Sequence, residues 1–378
     1  MDKVKESKNS IAEAAQVHGE KYNYRNPALD LLRVISLIGV IVMHVTSGVI
    51  GADFTSDSMY ILKLAYNALF HYGVPIFVMI SGALFLKPER IVDIKKLWIH
   101  NILRMTIVYV VWSAAYGIYD YLQYKAGWKY IIWEIVNSRD HLWFLPMLIG
   151  LYMIVPILST WVKNAKPKEI RYFLILFAVF QVICETIKAV PHPELVDFIL
   201  AIKNIQLVCS YVGYFILGYY LVHIGVAKRT VKLIYICGCI CGALSLISLV
   251  GLSYIRNRGA FEIVDSYSLF TFGWAVAIFV AVNRFFDKNA CLDEKDRTEN
   301  APRRGQKISK FMGELGKDSF GAYLCHIAVV QILMSIGYSA YTIPIAIGIP
   351  TYVVSVFIIS MLIGGLLRRI PFIGRYIC

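Results

Sequence analysis

The sequence has little charge and no regular alternation of apolar and polar residues. Only 17% of its 378 residues are charged, whereas 58% are hydrophobic, and the mean hydropathy is +0.61. A chain this apolar lies outside the range of soluble globular proteins and indicates an integral membrane protein. The missing alternation excludes membrane-spanning strands, so helices must satisfy the backbone in lipid.

A signal peptide, an internal repeat and a polar stretch long enough for a soluble domain are also missing. We interpret residues 1–28, which are polar and mixed in charge, as an N-terminal cytoplasmic tail. Residues 29–367 are predicted to form one membrane domain, followed by a cytoplasmic tail at 368–378. Within the domain we expect an aromatic loop along the outer interface at 119–143 and a charged cytoplasmic linker at 287–317.

Ten apolar runs are each close to the ~20 residues that a helix needs to cross a hydrocarbon core of about 30 Å. We therefore predict an all-α integral membrane protein with about ten transmembrane helices. The predicted spans are 29–50, 64–86, 97–118, 144–162, 172–190, 205–223, 231–252, 267–286, 318–337 and 342–367.

Positive charge follows the predicted loops. If the N-terminus is cytoplasmic, 28 of the 38 lysines and arginines fall on cytoplasmic segments and 8 on outer ones. This bias predicts a multi-pass protein of the cell membrane with both termini inside. Topology thus accounts for the net charge of +13, so a nucleic-acid partner is not expected, and the basic side suits a soluble anionic cofactor.

Cysteine chemistry is not indicated. Six of the eight cysteines fall inside predicted spans, where they are usually small packing residues. In "CGCIC", residues 237–241, the spacing scatters the thiols around a helix. We therefore expect no metal and no disulfide.

The first predicted span contains two ionisable side chains, Arg33 and His44. Such groups cost about 2.5–3.5 kcal/mol each within a membrane, so they usually face a cavity and take part in function. Eleven residues at about 100° each come within ~20° of three full turns, which places both on one face, ~16 Å apart along the axis. We expect Arg33 near the cytoplasmic end and His44 about mid-membrane. The alternative is that Arg33 reaches the interface and His44 makes an interhelical hydrogen bond.

Other predicted spans carry further polar groups. In "KDSFGAYLCH", residues 317–326, the side chains of Ser319, Tyr323 and His326 share one helix face. In "FHYGVPIFVMISGALFL", residues 70–86, Pro75 is expected to kink the helix. The remaining candidates are Arg104, Glu185, His141, Trp143, His71 and Ser81. The presence of Ser81 is explained equally well by its packing as a small residue.

Together these blocks resemble acyltransferase family 3. The matching features are Arg33 and His44 with ten residues between them, "PIFVMISGALFL" at 75–86, Arg104 at the end of "KKLWIHNILR", "LWFLPMLIGLY" at 142–152 and "SFGAYLCH" at 319–326. They occur in the family's order over about 300 residues. Because it shows no fused domain, the sequence is most similar to the stand-alone O-acetyltransferases of bacterial surface polysaccharides.

The resemblance implies an enzyme that moves an acyl group, usually acetyl, from cytoplasmic acyl-CoA to a hydroxyl of an extracytoplasmic or lipid-linked glycan. It also implies that Arg33 and His44 are paired donor-site residues, with Arg104 and Ser81 in the same cavity. The lipid bilayer, acetyl-CoA and a glycan are then the expected partners, and homo-oligomerisation is left open.

Roles for the candidates follow from acyl-transfer chemistry, which needs a base, an oxyanion stabiliser and a donor site. We expect His44 as general base, because the pKa of imidazole lies nearest working pH, and Arg33 at the donor. Lys95 and Lys96 are expected either to form a basic mouth for the donor or to act as topology signals only. His326 and Tyr323 are expected to stabilise the oxyanion or to orient the acceptor. The remaining candidates are expected to bind the acceptor: Glu185, His141, Trp143 and His71. A covalent acyl-histidine or acyl-serine intermediate stays open.

Two other classes of function compete with the enzyme. A transporter or flippase also suits ten helices with polar stripes, but the sequence shows no convincing inverted repeat. A sensor that keeps the fold without the chemistry is the third alternative, and the presence of both Arg33 and His44 argues against it.

Overall fold

The computed structural model describes residues 26–47, 54–55, 57–124, 127–137, 139, 141–191, 210–295, 304–371 and 374–377. The predicted N-terminal tail therefore lies almost wholly outside the described residues. In the part of the chain that is described, helices are the regular structure and no β-strand occurs, so the predicted all-α, multi-span membrane fold is confirmed.

The helices are named here in chain order. They are α1 (Pro27–Thr46), α2 (Ser58–Phe70), α3 (Gly73–Phe85), α4 (Leu103–Tyr124), α5 (Lys129–Asn137), α6 (Phe144–Asn164), α7 (Pro167–Phe177), α8 (Cys184–Ala189), α9 (Ser210–Tyr219), α10 (Lys228–Arg256), α11 (Leu269–Lys295), α12 (Arg304–Ser335), α13 (Ile345–Arg369) and α14 (Gly374–Ile377). Short segments extend them: the turn Ile94–Lys96 and π-helical Leu97–Ile102 before α4, π-helical Ala178–Ile183 between α7 and α8, π-helical Tyr220–Ile224 after α9, and the 3₁₀ turn Phe261–Val264 before α11.

Nine helical stretches among the described residues are long and apolar enough to cross a membrane. The predicted span at 205–223 is described from Ser210 onward, as α9, and its beginning lies outside the described residues. Helix also extends into both predicted connections. Residues 129–137 of the aromatic loop form α5, and in the predicted linker residues 287–295 and 304–317 continue α11 and α12.

The predicted kink in the second span separates α2 from α3 at His71 and Tyr72. Pro75 has no N–H to donate to the His71 carbonyl one turn earlier, so the helical ladder loses a hydrogen bond there. The ladder resumes at once, because Ile76 N–H donates to the Tyr72 carbonyl at 3.1 Å. The interruption therefore lies one turn before the proline itself.

The helix α1 is at the centre of the bundle. Of its membrane-spanning window, 67% is buried inside the protein, compared with 17% for the span that contains α7 and α8. Its neighbours include α3, α12 and α13. Near its beginning Asp30, only 1% exposed, pairs with Arg33 and lies against Gly316 of α12, where a Cβ would come within 2.5 Å of the Asp30 carboxylate. This contact sets how α1 lies along α12.

The closest backbone approach joins α3 and α9. A Cβ on Gly82 would lie 1.7 Å from the Phe215 carbonyl oxygen, and one on Gly218 would lie 1.9 Å from that of Met79. Small residues of this kind let membrane helices approach closely and gain dispersion energy. The opposite face of α3 is thereby turned toward the site described below.

We predict that Gly218→Ala destabilises the protein by about 3 kcal/mol or prevents its folding, because the added methyl group meets rigid backbone. Gly150→Ala is the matched control, since nothing lies within 4 Å of a Cβ there. The measurement is the yield of monodisperse protein and its thermal unfolding midpoint in detergent. Equal yields and midpoints for the two variants would contradict the packing described for α3 and α9.

Candidate active site

Three histidines from distant parts of the sequence meet between α1, α6 and α12, and we call them the histidine centre. The ring centroids of His44 and His326 are 5.2 Å apart, those of His141 and His326 are 5.0 Å apart, and those of His44 and His141 are 6.1 Å apart. His141 and His326 are buried, with exposures of 2% and 0%. The structure therefore unites two candidates predicted for catalysis with one predicted for acceptor binding.

Backbone carbonyls orient two of these rings. Because a carbonyl oxygen can only accept, Nδ1–H of His326 donates to the Tyr323 carbonyl at 2.5 Å, and Nε2–H of His141 donates to the Leu324 carbonyl at 3.3 Å. The opposite nitrogens, Nε2 of His326 and Nδ1 of His141, are buried and have no hydrogen-bond partner among the described residues. Each ring thus offers a lone pair, which is what a proton acceptor requires.

The histidine centre is recessed within the bundle. His44 lies two residues before the end of α1, beside His326 of α12. The helix α1 stops at Thr46, whereas α12 continues from His326 to Ser335, ~13 Å farther at 1.5 Å per residue. His326 lies near the middle of its own helical span, Phe311–Ser335, so His44 beside it is equally recessed.

Two tyrosines frame the histidine centre. The Tyr323 hydroxyl donates to the His141 carbonyl, and the Tyr116 hydroxyl donates to the Leu324 carbonyl at 2.9 Å. Both rings lie against that of His141, with centroids at 5.9 and 5.1 Å. The tyrosines therefore position the histidines, and the Tyr323 proton is already donated within the protein.

Behind Tyr116 lies an ion network that the sequence did not reveal. Arg139 pairs with Asp120 and lies 3.9 Å from the Glu134 carboxylate, and its guanidinium is 5.4 Å from the centre of the Tyr116 ring. Both carboxylates are more than nine-tenths buried. Since Arg139 is two residues before His141, the ion network fixes the position of the segment that contains this histidine.

A second cluster, the arginine cluster, surrounds Tyr152 of α6. Arg33, Arg90 and Arg104 all lie within electrostatic range of the Tyr152 hydroxyl. Arg90 stacks on the Phe85 ring at 4.2 Å, and that ring stacks on Tyr152 with centroids 4.1 Å apart. Three guanidinium groups thus converge near the start of α1, and one of them, that of Arg33, is paired with Asp30.

Ser81 of α3 belongs to the same region. Its hydroxyl donates to the Phe77 carbonyl at 3.0 Å and also interacts with the Tyr152 hydroxyl. One turn earlier, Phe77 contacts Phe144 and Tyr323, with ring centroids at 5.9 and 6.1 Å. One face of α3 therefore runs from the arginine cluster to the aromatic neighbours of the histidine centre.

A sequence model of the acyltransferase domain of acyltransferase family 3 matches residues 26–369. The chain belongs to acyltransferase family 3. The match includes both the histidine centre and the arginine cluster. Comparisons with curated proteins and with solved structures yield no match.

Membership identifies the protein as a membrane-embedded acyltransferase. Acyl transfer to an alcohol needs a group that takes the hydroxyl proton, and the histidine centre is rich in such groups. Although three histidines lie together, no group of three or more potential ligands among the described residues could hold a metal ion. The carbonyl partners of His141 and His326 leave one nitrogen of each ring available as a base.

Five of the predicted site residues are not members of the histidine centre. Glu185 pairs with Lys188 at 2.8 Å, the His71 Nδ1 contacts the Asn67 carbonyl at 3.2 Å, and Trp143 contacts Tyr211 with ring centroids at 5.8 Å. Lys95 and Lys96 are exposed in the turn that precedes α4. Of these five residues, Trp143 is linked to the histidine centre through Phe144 and Tyr323.

Sequence reasoning missed Arg90, Tyr152 and Arg139 as members of the two clusters. Arg90 follows the recognised block at 75–86, and Tyr152 ends the block at 142–152, so both stood next to a detectable signal. The sequence positions of Arg90 and Tyr152 do not indicate that the two residues lie close together in three dimensions. Only the packing of α3 against α6 brings Phe85, Arg90 and Tyr152 together.

We predict that Arg139→Met destabilises the acyltransferase by about 3–5 kcal/mol, because it leaves two buried carboxylates without their cation. The control is Lys188→Met, which breaks a partly exposed pair and should change the free energy of unfolding by about 0–1 kcal/mol. Thermal unfolding in detergent distinguishes the two variants. An Arg139→Met protein as stable as Lys188→Met would show that the network contributes little.

Proposed function

We propose that this acyltransferase moves an acetyl group from cytoplasmic acetyl-CoA to a hydroxyl of a cell-envelope or lipid-linked glycan. The observation that carries the proposal is a base-rich histidine centre and an arginine cluster at opposite ends of one polar face of α1. Arg33 and His44 mark the two ends of that face, ~16 Å apart along the helix. The charge bias of the loops supports a cytoplasmic location for the arginine end, with both termini inside the cell membrane.

The arginine cluster supports donor binding. Coenzyme A carries phosphate groups, and guanidinium groups bind phosphates through paired, charge-assisted hydrogen bonds. With the phosphates at Arg33, Arg90 and Arg104, the extended pantetheine arm is long enough to follow α1 toward His44. The exposed Lys95 and Lys96 would then add positive charge at the mouth, and Ser81 would line the path.

The chemistry we assign to the histidine centre is direct transfer. The His44 imidazole takes the proton of the acceptor hydroxyl, and the oxygen attacks the thioester carbon. The tetrahedral intermediate then expels the CoA thiolate, which takes the proton from the His44 imidazolium and leaves as the thiol, so the imidazole is neutral again. His326 presents only an acceptor nitrogen in its oriented tautomer, so we assign it to proton sharing with His44. His141 keeps the acceptor side of the centre in place, supported by Tyr116 and Tyr323.

A histidine substitution tests the catalytic assignment. His44→Ala should lower turnover of radiolabelled acetyl-CoA by roughly 10²–10⁴-fold, because a general base contributes on that scale, while acetyl-CoA binding and folded yield stay near wild type. His100→Ala is the matched control, since His100 is an exposed histidine at the start of the third span. Transfer by His44→Ala at the wild-type rate would remove this histidine from the mechanism.

An arginine substitution tests the donor site. Arg104→Gln and Arg90→Gln should each raise the Kd for acetyl-CoA roughly tenfold or more, since a charge-assisted hydrogen bond contributes about 1.5–3 kcal/mol. Arg33→Lys is preferred to Arg33→Ala, because it keeps a cation beside the buried Asp30 carboxylate. Isothermal titration measures the Kd, and Arg171→Gln, an exposed arginine on α7, is the control. If acetyl-CoA neither binds nor turns over with wild-type protein, the proposed function is wrong.

A further inference from the structure

A connected group of aromatic rings lies beside the histidine centre, at the beginnings of α6, α9 and α11. Trp143 and Tyr211 have ring centroids 5.8 Å apart, and Tyr211 and Tyr267 have centroids 4.9 Å apart. Trp143 is 39% exposed, and both tyrosines are partly exposed. We call these three side chains, together with Asp265, the aromatic platform.

The aromatic platform is continuous with the histidine centre. Trp143 is two residues beyond His141, and its ring contacts Phe144 with centroids 6.5 Å apart. Phe144 in turn contacts Tyr323, which donates to the His141 carbonyl. A ligand lying on the platform is therefore one aromatic layer away from the histidines.

Polar groups surround the rings of the platform. The Ser210 and Tyr267 hydroxyls are hydrogen-bonded at 2.7 Å, and the Tyr211 hydroxyl interacts with Ser266 and Tyr267. The Asp265 carboxylate is exposed, and one of its oxygens accepts the Tyr267 N–H at 3.2 Å. Aromatic faces next to hydroxyl and carboxylate acceptors match a molecule with an apolar face and a rim of hydroxyl groups, which is the chemistry of a sugar ring.

An aromatic belt at the lipid interface is the competing explanation for these rings. Trp128 and Trp133 have exposures of 63% and 59%, and rings as exposed as these suit such a belt. The platform rings instead contact one another and lead inward to Phe144, and they carry a carboxylate that lipid headgroups bearing negative charge would repel. A polar ligand explains these features better than lipid does.

The charge of the platform limits which sugars suit it. Asp265 is near Tyr211, Tyr214 and Tyr267. Two cations that lie at the same end of the bundle are already paired, Lys188 with Glu185 and Arg258 with Glu262. An acidic sugar would bring a second carboxylate close to that of Asp265, and like charges at close range are destabilising.

We propose that Trp143, Tyr211, Tyr267 and Asp265 form the acceptor subsite of this acyltransferase and bind a neutral or amino sugar in preference to an acidic one. The inference rests on the proposed function, because it names the substrate class for the same histidine centre. Trp143 stacks on the apolar face of the sugar ring, and Asp265 accepts hydrogen bonds from its hydroxyl groups.

The test uses purified full-length protein in a detergent without a sugar headgroup, since a glycoside detergent would compete for the subsite. Radiolabelled acetyl-CoA is incubated with octyl β-glucoside, octyl N-acetyl-β-glucosaminide and octyl β-glucuronide below their micellar concentrations, and the label transferred to each is measured. Binding of acetyl-CoA is measured separately by isothermal titration. We expect transfer to the first two glycosides and roughly tenfold less to the glucuronide.

Three variants distinguish the proposal from a structural role of the rings. Trp143→Ala and Tyr267→Ala should lower kcat/KM for the neutral glycosides roughly tenfold through KM, with an unchanged Kd for acetyl-CoA. Asp265→Asn should reduce the preference for glucoside over glucuronide. Trp133→Ala, which removes an exposed tryptophan of α5, should leave all these values within about twofold.

The outcomes separate the two levels of inference. Failure of wild-type protein to bind acetyl-CoA contradicts the proposed function. Binding of acetyl-CoA without transfer to any of the three glycosides, unchanged KM in the Trp143 and Tyr267 variants, or equal use of glucoside and glucuronide would each overturn the acceptor subsite while leaving the donor site intact.

Discussion

The packing of α1 against α12 is the constraint on which the site depends. Asp30, buried and paired with Arg33, rests against Gly316, where even a methyl group would have no room. A buried charge of this kind is tolerated only with its partner in place, so the contact allows one longitudinal position of α1 on α12. In that position His44 reaches His326 at the other end of the contact. One small residue and one ion pair therefore align two histidines that are far apart in sequence.

The two clusters differ in the kind of polar group that they hold, and physical chemistry accounts for the difference. The arginines lie near the start of the bundle, where permanently charged side chains can reach water and phosphate groups. The histidines are recessed, where a neutral imidazole is tolerated better than a charge and where backbone carbonyls satisfy one nitrogen of His141 and of His326. A base in this setting keeps an available lone pair without needing a buried counter-ion.

Much of the fold followed from the sequence because it depends on hydropathy along one dimension. The apolar runs predicted the membrane helices, and Pro75 predicted the interruption between α2 and α3. The shared face of Arg33 and His44 came from helical periodicity, since an α-helix keeps its angular spacing whatever surrounds it. The contact between His44 and His326 was not predicted, because the position of a helix inside a bundle depends on its neighbours and not on hydropathy.

By itself the sequence determined the class of protein and the family, and it named the three histidines, Arg33 and Arg104 as candidates, since periodicity, composition and ordered motifs are properties of the chain alone. Only the tertiary structure decided that His141 joins His44 and His326, that Arg90 and Tyr152 complete the arginine cluster, and that Arg139 anchors the segment before His141. These contacts join residues on different helices, and their geometry depends on glycine-mediated packing that has no signature in local sequence. The chemistry of the candidate site is therefore carried by contacts between helices as much as by the residues that the sequence singled out.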